Sequence, residues 1–246
     1  MNKYKISSDK NKLVIFSSDT PHHRYFINQI LDNGYEIECI FFETKYSTPA
    51  FKVGPLFEEK ETEFEKRNFF RSTAYKINSR NIIQVSNIND NKVFEEIKRI
   101  KPSLGIVFGT GKVKDHILDL FEGRLLNIHR GIPQKYRGLD SDLWAIYNND
   151  YENIGTTIHR VDSNLDTGDY IYQERMKLSK EMKIFQIRYY TTLIASEITL
   201  LTLGDYHKDQ LEFFKQESLG KYYSFMPYNL KVESQIKFNN YCKAIM

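Results

Sequence analysis

Three residues of the sequence could together perform acid–base chemistry: Asn127, His129 and Asp166. Asn127 and His129 are two positions apart in a short apolar run, and on a strand this spacing projects both side chains from one face. Asp166 comes thirty-seven residues after His129, in a Leu-Asp-Thr-Gly turn. An amide donor, an imidazole and a carboxylate that converge in a cleft can stabilise an oxyanion and move a proton during acyl transfer. No serine or cysteine accompanies them, so direct attack by a substrate amine fits better than a covalent acyl-enzyme.

The sequence contains no complete motif for binding a dinucleotide, a P-loop phosphate or a metal ion. The turn after the first predicted strand reads Ser17-Ser18-Asp19-Thr20-Pro21 and lacks the G-x-G-x-x-G of dinucleotide-binding domains. Gly109-Thr110-Gly111-Lys112 resembles the tail of a P-loop, but Val113 follows where Ser or Thr is required. His22-His23 has no third ligand at metal spacing, and adjacent histidines at a helix start favour a surface or capping role. We therefore expect no metal.

The elements that must position the three residues follow an α/β order. Leu13–Phe16 predicts a buried strand, Pro21 to Gly34 an amphipathic helix and its end, and Ile37–Phe42 a second strand. This unit implies a parallel sheet with a right-handed crossover. The later elements are predicted as strands at 81–85, 104–108, 125–128, 155–161 and 170–176, the last two antiparallel, and a long helix from about 181 to 203. The predicted fold is an open, mostly parallel twisted sheet over residues 1–204.

Residues 44–80 carry the charged run Glu58–Arg67, followed by Phe69-Phe70. Such a pattern is typical of a solvated helix with one apolar edge, and a mobile flap is the alternative.

The last predicted unit, residues 205–246, is a C-terminal extension. Leu211–Lys215 and Lys221–Met226 predict a hairpin that turns at Gly220. An isolated two-stranded hairpin is marginally stable, and its aromatic face needs either the core or a second chain to cover it. Because the long helix before it already covers the sheet, we expect the extension to form the interface of a homodimer.

Charge and composition exclude several classes of protein. Thirty-five basic against 32 acidic residues leave a net charge of +3, which is too small for a nucleic-acid footprint but suits an anionic small ligand. The apolar runs are too short to span a bilayer, and the polar opening Met1–Lys12 contains no secretory signal. Cys39 and Cys242 form no disulfide framework. We expect a cytoplasmic protein.

Taken together, the Asn127-x-His129 pair, the loop Gly131–Gly138 and the turn Leu165–Gly168 resemble the folate-dependent formyltransferase family. The resemblance is strongest over residues 104–173. Within the family the chain looks most like the nucleotide-sugar N-formyltransferases, on three stretches: His23–Phe26, Phe108–Gly111 and Gly220–Pro227. In relatives the proline of the loop stands one place later than Pro133.

This resemblance implies a transferase that moves a formyl group from N10-formyltetrahydrofolate to the amine of a nucleotide-linked amino sugar, as in the synthesis of lipopolysaccharide O-antigen. It implies that Asn127, His129 and Asp166 are catalytic. It also implies that the pterin contacts the backbone of two segments, at Gly109, Thr110, Gly111, Lys112 and Val113 and at Thr167 and Gly168. Such enzymes are commonly homodimers.

The phosphates of the acceptor are expected at the start of the first helix, because its free backbone amides favour an anion. The predicted substrate-binding residues are Thr20, His22, His23, Lys135, Tyr136 and Arg137.

Three alternatives stay open. Methionyl-tRNA formyltransferase shares the chemistry but normally adds a C-terminal domain for tRNA, whereas fewer than fifty residues follow Gly204. Glycinamide ribonucleotide formyltransferase uses a glycine in its first loop, and residues 17–21 contain none. A non-catalytic binding module of the same fold is disfavoured by the intact Asn, His and Asp.

Overall fold

A mixed β-sheet runs through the centre of the computed structural model, which describes residues 12–45, 48–70, 76–77, 79 and 81–245. The strands in the described part are β1 (Leu13–Ser18), β2 (Ile37–Glu43), β3 (Ile82–Val85), β4 (Leu104–Phe108), β5 (Leu125–His129), β6 (Tyr136–Gly138), β7 (Gly155–Arg160), β8 (Tyr170–Arg175) and β9 (Lys221–Tyr223). Seven of them form the sheet in the order β3-β2-β1-β4-β5-β7-β8, and β6 pairs with β9 separately. The strands β1 to β5 in this sheet are parallel, and β7 is antiparallel to both of its neighbours. The predicted fold class is confirmed.

Helices cover both faces of this sheet. They are α1 (Pro21–Asp32), α2 (Glu58–Phe70), α3 (Asn91–Ile100), α4 (Asp115–Leu118), α5 (Ser141–Tyr147), α6 (Ile187–His207) and α7 (Tyr228–Ala244). Apolar side chains of α1 and α6 pack on one face, and those of α3 and α4 pack on the other. The strand β1 is buried at all six positions, as a strand covered on both faces must be. None of the described helices is long and apolar enough to cross a membrane.

The helix predicted from the charged run is present as α2, and one of its faces is solvated, but two of its carboxylates do not lie on that face. Glu61 and Glu65 are buried and pair with Arg188 of α6, at 2.7 Å between Glu61 Oε2 and Arg188 Nη1. A carboxylate on a charged helix can be buried when a cation from a neighbouring helix is within reach. Two predicted segments lie in part outside the described residues. For the flap hypothesis these are residues 46–47, 71–75, 78 and 80, and for the polar opening they are residues 1–11.

The C-terminal hairpin does not form. Its first half pairs with the central sheet, through the antiparallel bridge of Phe214 to Tyr170. Its second half forms β9, which runs parallel to β6 in the loop after β5. One half therefore pairs with the sheet and the other with the loop after β5, and they do not pair with each other.

Residues after 227, for which the sequence gives only a weak pattern, form α7. Its Phe238 and Cys242 are fully buried and pack in one cluster with Ala145 and Ile146 of α5. The extension is thus part of the same packed body as the sheet.

Candidate active site

Asp166 lies at the centre of a polar cluster at the end of β5. Its Oδ1 accepts a hydrogen bond from Asn127 Nδ2 at 3.3 Å, and its Oδ2 is 3.5 Å from His129 Nδ1. The backbone N–H of Gly138 donates to Oδ2 at 2.7 Å. Asp166 has a φ of +56°, a left-handed conformation that turns its carboxylate back toward β5. The structure thus brings together the three residues that the sequence singled out.

Asp166 is kept ionised by its surroundings. Burial alone would raise the pKa of this carboxyl, but the nearby His129 and His159 and the Gly138 N–H outweigh it and hold the pKa well below its usual range. The result is a buried negative charge that faces two imidazole rings.

His159 belongs to this cluster, although the sequence analysis assigned it no role. Its Nε2 is 3.1 Å from Asn127 Nδ2 and 3.3 Å from Asp166 Oδ1, and its Nδ1 is 2.8 Å from the carbonyl oxygen of Arg160. His159 is directly opposite Asn127 in the antiparallel β5–β7 pair. The alternating pattern of residues 155–161 predicts this strand, but its register against β5 comes only from the structure.

The loop Gly131–Gly138 fixes the ring of His129. His129 Nε2 donates to the carbonyl of Tyr136 at 2.9 Å, so Nδ1 is the nitrogen that faces Asp166. A Cβ on Gly131 would lie 2.7 Å from His129 Nε2, which explains the glycine at that position.

The side chain of Tyr136 does not face the site. It is buried, and its hydroxyl donates to Asp150 at 3.0 Å. Tyr136 therefore serves the site through its carbonyl, and the prediction that its side chain binds substrate is not supported. Arg137 is also engaged, because its guanidinium donates to the carbonyls of Gly220 and Leu165 at 2.7 and 3.3 Å. Lys135 is exposed.

The predicted pterin-binding segment after β4 has mixed exposure. Gly109, Gly111 and Lys112 are exposed, Thr110 is half-buried, and Val113 is buried in the core. The N–H of Gly111 donates to Oε2 of the buried Glu43 at 2.7 Å, and Oε1 of Glu43 accepts from the N–H of Ile88 at 3.1 Å. Glu43, another residue that the sequence analysis missed, thus joins the loops after β3 and β4.

Glycines allow close approach at two predicted contact positions. Gly109 has a φ of +78°, and a Cβ there would lie 2.2 Å from the ring of His23. At Gly168 a Cβ would lie 2.0 Å from the carbonyl oxygen of Arg160. The hydroxyl of Thr167 donates to Asp162 at 2.7 Å, so it stabilises its own turn.

The histidines at the start of α1 are buried, and the expected surface role is wrong. The hydroxyl of Thr20 is 3.1 Å from His22 Nδ1 and 2.8 Å from His23 Nδ1. Burial lowers the pKa of both rings well below the usual value, and the positive charges of Arg188 and Arg130 lower it further. The start of α1 therefore carries two neutral, buried rings.

Arg130 is the cation that the sequence analysis overlooked. It follows His129 directly at the carboxyl end of β5, is half-buried, and has no ion pair or hydrogen bond with the residues that the structure describes. Its charge lowers the pKa values of His22 and His23 and opposes the raised pKa values of Glu61 and Asp140.

Among the described residues no group of three or more His, Cys, Asp or Glu could hold a metal ion. The cluster around Asp166 can instead donate hydrogen bonds to a developing oxyanion from Asn127 and His129, and can hold a proton between His129 and Asp166.

Known proteins share both the sequence pattern and the fold. A family model described as "Formyl transferase" matches residues 12–191. Methionyl-tRNA formyltransferase of Finegoldia magna is 30% identical over 168 residues, which are 66% of this chain and 54% of that protein. The chain spans about half the length of the curated relatives it matches.

Two solved structures illustrate the likeness in fold. A sugar N-formyltransferase from Shewanella sp has a TM-score of 0.64 at 13% identity, covering 92% of this chain and 87% of that one. The formyltransferase PseJ from Anoxybacillus kamchatkensis, solved with UDP-4,6-dideoxy-4-formamido-L-AltNAc and tetrahydrofolate, has a TM-score of 0.51 at 17% identity, covering 87% and 85%.

Proposed function

The chain belongs to the formyl transferase family, and we propose that it transfers a formyl group from N10-formyltetrahydrofolate to the amine of a nucleotide-linked amino sugar. The observation that carries this proposal is the contact of Asp166 with both Asn127 and His129, at 3.3 and 3.5 Å. Asn127 and His129 are on β5, and the neighbouring strand β4 leads into the segment Gly109 to Lys112.

The chemistry assigns a separate task to each residue. The bond from the amine to the formyl carbon forms and the bond from that carbon to N10 breaks. The amine loses one proton and N10 gains one, so that tetrahydrofolate leaves as the N10–H amine. Asn127 Nδ2 releases its longer contact, the 3.3 Å hydrogen bond to Asp166 Oδ1, and donates that N–H to the formyl oxygen as negative charge develops on it. His129 supplies a second donor through Nδ1. His129 then carries a proton on both ring nitrogens, and the ionised Asp166 beside Nδ1 stabilises this charge. The carboxylate of Asp166 is therefore the group that takes up the proton released by the amine.

The residues fit a flat, hydrogen-bonding donor molecule. The predicted segment offers exposed backbone without large side chains at Gly109 and Gly111, and Gly168 brings its own backbone close to β7. The N–H of Gly111 is excluded as a contact to the pterin, because it already donates to Glu43. We expect Gly109, Thr110, Lys112 and Val113 to contribute through other backbone groups, together with the Thr167–Gly168 turn.

A sugar acceptor is supported by two features. The first is the fold shared over most of both chains with the sugar N-formyltransferase from Shewanella. The second is the half-buried Arg130, whose charge acts on His22 and His23 at the start of α1 and suits the phosphates of a nucleotide. Lys135 is a further candidate on the exposed side of the loop.

The competing acceptor is methionyl-tRNA, favoured by the 30% identity with the Finegoldia protein. The net charge of +3 does not favour a large polyanion.

The deciding experiment offers both acceptors to the purified protein with N10-formyltetrahydrofolate. A panel of UDP-, dTDP- and GDP-linked amino sugars is compared with charged initiator tRNA, and tetrahydrofolate release and the product mass are followed. We expect one class of amino sugar to gain a formyl group, and Asp166→Asn to abolish the gain. Formylation of the tRNA alone would make the sugar proposal wrong.

We also propose that the protein acts in the cytoplasm as a homodimer, in the synthesis of a surface polysaccharide such as O-antigen. The exposed Leu219, Tyr222, Ile236 and Tyr241 of the extension are candidates for the interface between subunits. Sedimentation equilibrium at micromolar concentration tests the dimer, and a 29.2 kDa species would contradict it.

A further inference from the structure

The segment 213–220 contacts the turn that carries Asp166, although it lies beyond the residues that the family model matches. Phe214 pairs with Tyr170, each donating its N–H to the carbonyl of the other at 2.8 and 2.9 Å. At its other end the N–H of Gly220 donates to the carbonyl of Pro133 at 3.0 Å. The segment therefore joins the loop that fixes His129 to the turn that carries Asp166.

Gln216 lies in the middle of this segment. Its amide Nε2 donates to the carbonyl of Asp166 at 3.1 Å and to the carbonyl of Gly168 at 2.7 Å. Both carbonyls can only accept, so the group that faces them must be the NH₂ and the amide has one possible orientation. Its Oε1 is buried and has no partner among the described residues. An unsatisfied buried acceptor such as this Oε1 is costly. The same amide group donates two hydrogen bonds from Nε2 to the Asp166 turn.

The turn needs such support because Asp166 is in the left-handed region, which a residue other than glycine adopts only at a cost. Its carbonyl accepts the hydrogen bond that Gln216 donates, and this bond would be lost without the amide.

We propose that Gln216 is a positioning residue, whose amide holds the Asp166 turn so that the carboxylate stays against His129 and Asn127. The inference rests on the proposed function for its catalytic consequence, but its structural consequence can be measured without any acceptor.

Two variants in the full chain remove the donors while keeping the size of the side chain: Gln216→Glu, which can only accept, and Gln216→Met, which is apolar. Glu217→Gln is the matched control, since Glu217 is the exposed neighbour in the same segment. Circular dichroism and thermal unfolding identify any variant that fails to fold, and the other variant then decides.

Two readouts separate positioning from general stability. The first is the titration of the Asp166 carboxyl followed by 13C NMR, assigned with Asp166→Asn. The second is the kinetic split between kcat and the KM for the acceptor. In both variants we expect the depressed pKa of Asp166 to move up toward its usual value, and kcat to fall roughly 10- to 100-fold with little change in KM.

The control should change neither readout. If a folded Gln216→Glu or Gln216→Met variant keeps the wild-type titration of Asp166 and a kcat within about twofold of the wild type, the inference is wrong. If the wild-type protein formylates no acceptor, the proposed function fails, and the NMR titration still decides the role of Gln216.

Discussion

Asn127 and His159 are hydrogen-bonded across the antiparallel β5–β7 pair, with 3.1 Å between Asn127 Nδ2 and His159 Nε2. The carbonyl of Arg160 can only accept, so His159 Nδ1 carries a proton and the neutral ring presents Nε2 as an acceptor to Asn127. When Nε2 is also protonated, it can donate to Asp166 Oδ1 at 3.3 Å instead. His159 thereby fixes which way the amide of Asn127 points.

The first prediction follows from this contact. His159→Ala should lower kcat roughly 10- to 100-fold, because the amide of Asn127 loses the partner that orients it toward the substrate. Steady-state kinetics with a saturating donor measure the effect. His207→Ala, which removes an exposed histidine at the end of α6, is the control. Equal kcat values for the two variants would remove His159 from the mechanism.

The second prediction concerns the three central residues. Asn127→Ala removes one donor to the oxyanion and should cost about 2.7–4 kcal/mol of transition-state stabilisation. His129→Ala and Asp166→Asn should also lower kcat by orders of magnitude. Because the three act at one developing charge, the double variant Asn127→Ala/Asp166→Asn should lose less than the sum of the two single losses. Strict additivity in a double-mutant cycle would show that they act independently.

The sequence predicts this cluster only in part. A two-residue spacing on β5 places Asn127 and His129 on one face, and the turn residues mark Asp166. His159 needs the register of β7 against β5, which no local pattern contains. Glu43 is at the end of a continuous apolar strand, and only the adjacency of the loops after β3 and β4 gives it two N–H partners.

The wrong expectations have the same physical origin, which is contact between residues that are far apart in the sequence. The charged run of α2 does not reveal that Glu61 and Glu65 are buried, because their partner Arg188 comes more than a hundred residues later. The glycine and aromatics of residues 211–226 satisfy the local rules for a hairpin, but each half finds a better partner in the sheet or in β6.

The third prediction is a pH dependence of stability that comes from Glu61. Burial raises the pKa of Glu61 from 4.5 to about 7, although Arg188 opposes the shift. A group whose pKa is raised by folding favours the folded state below its unfolded pKa, and this contribution disappears as the pH rises through the folded pKa. Between pH 4.5 and 7 the loss amounts to ~3 kcal/mol.

Urea unfolding of the wild type and of Glu61→Gln at a series of pH values measures this contribution. The difference between the two free energies of unfolding should change with pH across this range and level off above pH 7. Glu59→Gln, on the exposed side of the same helix, should follow the wild type. A difference that is constant with pH would contradict the assignment.

The fourth prediction separates donor binding from acceptor binding. Glu43→Gln leaves one acceptor oxygen for two N–H groups, so either Gly111 or Ile88 loses its partner and the loop after β4 loosens. A charge-assisted hydrogen bond contributes about 1.5–3 kcal/mol, so the KM for N10-formyltetrahydrofolate should rise by roughly tenfold or more. The KM for the acceptor should stay near the wild-type value. Glu38→Gln, on the exposed side of β2, is the control, and equal changes in both KM values would argue against a donor-specific role.

The last prediction tests Arg130 as the cation for the acceptor's phosphates. Arg130→Met keeps much of the side-chain length and removes the charge, and a hydrogen bond to a charged group contributes about 1.5–3 kcal/mol. We therefore expect the KM for the nucleotide sugar to rise by one to two orders of magnitude, with the KM for the donor unchanged. Lys135→Met removes a charge from the exposed side of the neighbouring loop and should have the smaller effect, because an exposed charge is screened by solvent. Isothermal titration with the matching nucleoside diphosphate measures the same contact without catalysis. If Arg130→Met binds the diphosphate as tightly as the wild type while Lys135→Met does not, the phosphates lie on the loop and not at the end of β5.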